Sequence, residues 1–341
     1  MKNEEWKECL LGDFIELHRG YDLTKTSIVK GPYPVVCSTS IMGYHNEFKV
    51  KGPGVVIGRS GTLGEVQYVT CDYWPHNTSL YVSDFKGNDP KFVKYFLQRF
   101  GTGNVGSGSA VPTLNRNHIQ ALSIKVPPLA KQKEIANILS ALDDKIELNN
   151  AINRNLEEQV KSLYTKLFIT EKNGKMGILG DLVKVKYGKD HKKLSDGTFP
   201  VYGSGGIMRY ANQYLYDKES VLIPRKGTLN NVIYVNEPFW SVDTMFYTEM
   251  KQENIAKYVY LFLSEKNLES LNAGSAVPSM TTDILNAMPI LIPVADSLEK
   301  FEDFAAPIYS KIAENNKENK KLALLRDSLL PKLMSGEINV A

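Results

Sequence analysis

Gly58-Arg59-Ser60-Gly61-Thr62-Leu63 returns 166 residues later as Pro224-Arg225-Lys226-Gly227-Thr228-Leu229. The same interval carries Trp74 to Trp240, Pro127 to Pro293, and Ser109-Ala110-Val111-Pro112 to Ser275-Ala276-Val277-Pro278. A period of this length is too long for a solenoid repeat and fits a whole domain with its connector. The chain of 341 residues therefore reads as a tandem duplication in which each copy is long enough to bury its own core. Two similar but unequal copies imply a target read in two parts.

Around the repeated turn, short β-branched and aromatic runs broken by Gly and Pro predict strands at 54–58 and 65–69. Phe92, Val93, Phe96 and Leu97 share one face of a predicted helix over 90–100, and 256–263 is its counterpart. Leu122, Ile124 and Val126 form a last strand that Pro127-Pro128 ends. The expected fold is α/β (α+β): a small mixed domain over 1–127 and again over 178–293, each followed by a long helix, at 128–168 and 294–336. A linker at 169–177 joins the copies.

The helices carry the most regular signal. Ile135, Leu139, Leu142, Ile146, Asn149, Asn153, Leu156, Val160, Leu163 and Leu167 follow at alternating steps of four and three, and Phe301, Ala305, Ile308, Ile312, Asn315, Asn319, Leu322, Arg326, Leu329 and Leu333 repeat the phase. This is a heptad seam, and Asn within such a seam sets register because each amide needs another amide. Antiparallel packing of the two helices as a coiled coil would match Asn149 with Asn319 and Asn153 with Asn315. The alternative is that each helix packs only on its own domain. At 1.5 Å per residue the seam would be roughly 50 Å long, on the order of 14 base pairs of DNA.

The formal net charge of +3 permits a nucleic-acid partner without demanding one. Cys9, Cys37 and Cys71 all lie in the first copy without ligand-like spacing, and are expected to be reduced, inert thiols. No membrane-length apolar run and no secretory leader is apparent, so a cytoplasmic protein is expected, with no membrane partner. Gly101-Thr102-Gly103-Asn104-Val105-Gly106 matches GxGxxG but lacks the strand before it and the helix after it. No phosphate loop, HExxH, GxSxG or Asn-Pro-Pro-aromatic tetrapeptide occurs, so no catalytic or metal-binding residue is assigned.

The loops instead carry donors suited to DNA. Arg59 with Ser60 and Thr62, and Arg225 with Lys226 and Thr228, sit on glycine-containing turns. Arg can grip guanine O6 and N7 or anchor a phosphate, and hydroxyls reach either. The competing reading is a tight hairpin with solvated side chains. Further candidates are Arg19, Ser38, Thr39, Ser107 and Ser109 in the first copy, and Lys189, His191, Lys192, Lys193, Ser204 and Ser275 in the second. The run from Lys189 to Lys193 is either a phosphate contact or a solvated loop. Glycines, Trp and Pro persist between copies, while Cys37-Ser38-Thr39-Ser40 becomes Gly203-Ser204-Gly205-Gly206, as expected of a retained scaffold with divergent reading loops.

Leu11-Gly12-Asp13 with Gly20, repeated as Leu179-Gly180-Asp181 with Gly188, the Gly-Ser-Ala-Val-Pro loops, and Pro128-Leu129-Ala130-Lys131-Gln132-Lys133-Glu134-Ile135 together resemble the specificity subunit of type I restriction-modification systems. The resemblance covers essentially the whole chain. Leu298 stands where the pattern has Gln132, with Asp296 nearby, so the second helix departs from it. The resemblance implies a non-catalytic subunit with two target-recognition domains, each reading half of a split site on double-stranded DNA, and helices that dock two methyltransferase subunits. It also implies restriction subunits as further partners in some systems. The chain itself would hold no cofactor. S-adenosylmethionine would belong to the methyltransferase, which flips the target adenine, and ATP and Mg to a motor and nuclease subunit. A stand-alone, two-headed DNA-binding regulator would account for the same loops and helices.

Overall fold

The structure, a computed structural model, describes residues 6–59, 65–100, 114–271 and 280–339. The chain divides into two compact units, one made of residues 1–149 and 316–341, the other of 150–315. Each unit thus holds one front domain and one half of each long helix, cutting across the consecutive segments expected from the seam.

In the first unit the strand Gly54–Gly58 is buried at all five residues. It lies in an antiparallel sheet between Val66–Val69 and Ser79–Asp84, with Glu16–Arg19 outermost. Val55 and Ile57 enter a core with Phe92, Phe96, Ile135 and Leu139, and Val56 enters another with Val36 and Tyr73. Alternate residues of one strand thus feed two cores, which requires apolar side chains throughout. Ser220–Pro224 repeats this in the second unit, with Val221 and Ile223 on one side and Leu222 on the other.

A second sheet completes each domain. Lys30–Val36 pairs antiparallel with Ile41–His45 and parallel with Trp74–Pro75. In the second unit Asp196–Gly203 pairs with Gly206–Ala211 and Trp240–Ser241 in the same senses. Arg19 lies opposite Leu80, and Tyr187 opposite Phe246. The offset is therefore 168 (187 less 19) on the outer strand and 166 (246 less 80) on its neighbour. Two residues are lost from the intervening loop, where the first copy has a 3-10 turn at Lys25–Ser27.

The predicted helices appear at Pro90–Phe100 and Ala256–Ser264. The long helices span Leu129–Tyr164, continued by a π-helical turn at Thr165–Thr170, and Ala295–Ser335. All twenty seam positions are buried or half-buried. In the first unit Asn149 Nδ2 donates to Asn319 Oδ1 at 2.9 Å, and Arg326 Nη1 donates to Asp143 Oδ1 at 2.7 Å. In the second, Asn315 Nδ2 donates to Asn153 Oδ1 at 2.8 Å, and the Tyr164 ring meets the Phe301 ring at 6.3 Å. In both units one helix is counted forward as the other is counted back, so the halves pair antiparallel, and the Asn partners are those that this arrangement requires.

One expectation changes. The linker at 169–177 is not a free connector, because Gly174–Ile178 pairs with Pro289–Pro293 as Lys7–Leu10 pairs with Ser123–Val126. Its backbone groups need partners, and the strand before the second helix supplies them. Gln132 is 2 % exposed and fastens its helix to the domain. Its side chain accepts from Asp89 N at 3.0 Å and donates to Asn88 Oδ1 and the Pro127 carbonyl. Leu298 joins the apolar core of the second unit instead. Among the described residues no helix is long and apolar enough to cross a membrane.

Candidate nucleic-acid interface

Both central strands run into an arginine whose backbone is pinned to one threonine carbonyl. Arg59 N donates to Thr78 O at 3.0 Å, and Arg225 N to Thr244 O at 2.9 Å. The outer strand of each main sheet leaves along the same loop. Tyr21 N donates to Pro75 O, and Lys189 N to Ser241 O, each at 2.8 Å. A Cβ at Gly20 would lie 2.1 Å from the His76 carbonyl, and one at Gly188 2.1 Å from that of Val242. Only glycine lets the chain pass so close, which explains the repeated glycine that closes the opening motif.

The tight turn of the second sheet reaches the same place. Ser38 Oγ donates to Thr78 O at 3.0 Å, and Gln67 Nε2 to Cys37 O at 2.6 Å. In the second unit Asn231 Nδ2 donates to Ser204 O at 2.7 Å, and Lys226 N approaches Thr244 O at 3.3 Å. Each domain therefore gathers three segments: the turn of the small sheet, the arginine at the end of the central strand, and the loop 76–78 or 242–244.

In the first unit Arg59 and Ser38 meet at Thr78, with exposed Thr39 beside Ser38 and exposed Arg19 at the end of the outer strand. Ser38 is 8 % exposed with its hydroxyl committed to a carbonyl, so it clips the loop rather than presenting a donor. In the second unit Ser204, Arg225, Lys226 and Lys189 come together, and the Thr228 carbonyl receives Asn231 N at 3.1 Å. His191, Lys192 and Lys193 lie farther along their loop, which turns toward Arg209; the Arg209 guanidinium donates to Leu194 O at 2.5 Å. The Lys192 N–H, 3.0 Å from Asp190 Oδ1, holds that carboxyl below its ordinary range, so the basic run contains its own anion. Ser60, Thr62, Ser107, Ser109 and Ser275 lie outside the described residues, as do both Ser-Ala-Val-Pro loops and the GxGxxG match.

Sequence reasoning missed the residues that assemble the site: Thr78 and Thr244, whose carbonyls join the segments, and Gln67 and Asn231, whose amides hold the turn. One signal was available, since Thr78 and Thr244 stand at the repeat offset. Tyr187 was also missed. Its ring lies beneath the Arg225 guanidinium at 5.4 Å, and it is the structural counterpart of Arg19.

A duplicated mixed domain that gathers matched polar loops, each copy joined to halves of two long helices, defines a class of two-domain recognition scaffolds. The chain belongs to the family described as type I restriction modification DNA specificity domain, whose model matches residues 3–158 and 171–323. It is 24 % identical over 283 residues to the type I restriction enzyme MjaIX specificity subunit of Methanocaldococcus jannaschii, covering 70 % of this chain and 65 % of that relative, just under two thirds of its length. A putative specificity subunit of Haemophilus influenzae is 23 % identical over 80 % of this chain and 81 % of its own. The crystal structure of a type I restriction-modification system S subunit from M. genitalium superposes with a TM-score of 0.64 at 20 % identity, covering 98 % of this chain and 97 % of that one. The likeness establishes the shared fold.

Proposed function

We propose that the chain is the DNA-reading subunit of a type I restriction-modification complex, recognising a split site on double-stranded DNA with one half-site per front domain. The observation that carries this reading is the recurrence of one construction in both copies: an arginine at the end of the central strand, tied to a threonine carbonyl and flanked by a polar turn. Such an arginine is preorganised for base edges or phosphates, and the residues around it differ between copies as two different half-sites require. On this reading the chain contributes no catalytic group. A partner methyltransferase, docked on the long helices, would supply S-adenosylmethionine and the methyl transfer, and any cleavage with ATP and Mg would belong to a further subunit.

The test is DNA selection by the chain co-expressed with its methyltransferase subunits. Arg59→Ala and Arg225→Ala should each relax recognition of one half-site, by about 1–3 kcal/mol if the arginine reads a base. A chain that co-purifies with no methyltransferase, or selects a single undivided site, contradicts the reading.

A further inference from the structure

The two arginines are held differently. Arg225 lies against the Tyr187 ring, with 5.4 Å from guanidinium carbon to ring centroid, and Tyr187 rests edge-on against Phe246 at 5.0 Å. Phe246 is 0 % exposed and belongs to the core, so the stack is footed on the sheet. Tyr187 itself is 52 % exposed. Among the described residues the only acceptor for the Arg225 side chain is the Asp243 carbonyl, at 3.4 Å from Nη1. Among the described residues its remaining donors meet no acceptor. Lys189 and Lys226, both exposed, are nearby along the backbone, pinned at Ser241 O and Thr244 O. At the position of Tyr187 the first copy carries Arg19, which offers no ring.

We propose that Tyr187 is a specificity-determining residue of the second domain: it orients the Arg225 guanidinium edge to read a guanine in that domain's half-site. The inference rests on the reading above that the domain binds DNA. A guanidinium held over a ring is restrained while its edge stays free, which matches the paired O6 and N7 acceptors of guanine in the major groove. Flexible lysine ammonium groups suffice as point charges for phosphates, and the neighbouring Lys189 and Lys226 suit that task. The planar, braced cation beside them is the group suited to a base.

The experiment is selection from a random double-stranded DNA pool by the full chain in complex with its methyltransferase subunits, followed by sequencing of the bound DNA. Wild type is expected to enrich two half-sites separated by a gap. Arg225→Ala and Arg225→Lys should abolish preference for guanine at one position of one half-site, leaving the other half-site unchanged. Tyr187→Ala should weaken the same preference by about tenfold, and Tyr187→Phe, which keeps the ring and its footing on Phe246, should restore it. Uniform loss across all sequences in Arg225→Ala would make the arginine a phosphate contact and overturn the proposal. An unchanged preference in Tyr187→Ala, beside its loss in Arg225→Ala, would overturn the role of the tyrosine alone. Selection of no divided site by wild type would instead reject the reading of the whole chain.

Discussion

Where the long helices meet the front domain, one unit gathers its ions on a single carboxylate and the other sets its ions beside a cluster of aromatic rings. In the first unit Asp143 of the first long helix accepts from Lys94 and Tyr95 of the short helix, at 2.5 and 2.6 Å, and from Arg326 of the second long helix at 2.7 Å. At the repeat offset these positions become Tyr309, Tyr260, Leu261 and Val160. There the Tyr309, Tyr260 and Tyr234 rings pack at 5.0 to 6.3 Å, and Val160 is fully buried. The ions of the second unit lie beside those rings, between the same short and long helices: Lys257, 4 % exposed, donates to Glu219 at 2.8 Å and Glu302 at 2.6 Å. The counterparts in the first copy are Lys91, Pro53 and Ala136. Divergence is therefore not confined to the loops. Each domain has changed together with the helix halves it packs on, so a helix segment moved to the other copy would meet the wrong chemistry.

The largest effect is expected at Lys257. Lys257→Met would leave the half-buried Glu302 without its cation and should cost about 3 kcal/mol in denaturant unfolding, whereas pairing it with Glu302→Leu should recover most of the loss. If the double variant is no better than the single one, Lys257 acts through packing. Asp143→Ala should cost less, about 2 kcal/mol, because Lys94 and Arg326 retain 18 % and 29 % side-chain exposure and can turn to water.

The same carboxylate makes this junction of the first unit sensitive to acid. Burial opposes ionisation of Asp143, yet hydrogen bonds from Lys94, Tyr95 and Arg326 outweigh it and hold the carboxyl below its ordinary range. A depressed carboxyl contributes stability that is present above its unfolded pKa, about 4, and is lost as pH falls through the lower folded value. Unfolding midpoints of wild type and Asp143→Asn, followed from pH 6 downward, should therefore converge below about pH 4. A constant difference would remove Asp143 charge from the account. The smallest effect is expected at the paired amides, where a double-mutant cycle between Asn149 and Asn319 should show coupling of about 0.5–1 kcal/mol. Zero coupling would mean that the amides set no register.

Much of this was legible before the structure because it repeats or is periodic. The strand at 54–58, the helix at 90–100 and the buried seam follow from residue type and spacing. The Asn partners follow from the placement of two polar positions about the middle of each seam. The recognition loops were legible only as lists of donors. Ser38 reads as an exposed hydroxyl yet is consumed by the Thr78 carbonyl, and the run from Lys189 to Lys193 divides, Lys189 joining Arg225 while the rest turns toward Arg209. Backbone carbonyls organise these sites, and a carbonyl carries no residue signature.

From sequence alone came the duplication, the two domain cores, the seam and the antiparallel match of its amides, since periodic burial is written directly into the order of apolar and polar residues. Tertiary structure alone decided that the compact units cut through both helices, that Asp143 meets three donors where Tyr309 meets rings, and that Tyr187 lies beneath Arg225. Those contacts join residues 38 to more than 180 positions apart, and such pairings are set by how sheets and helices close on one another, not by any local pattern.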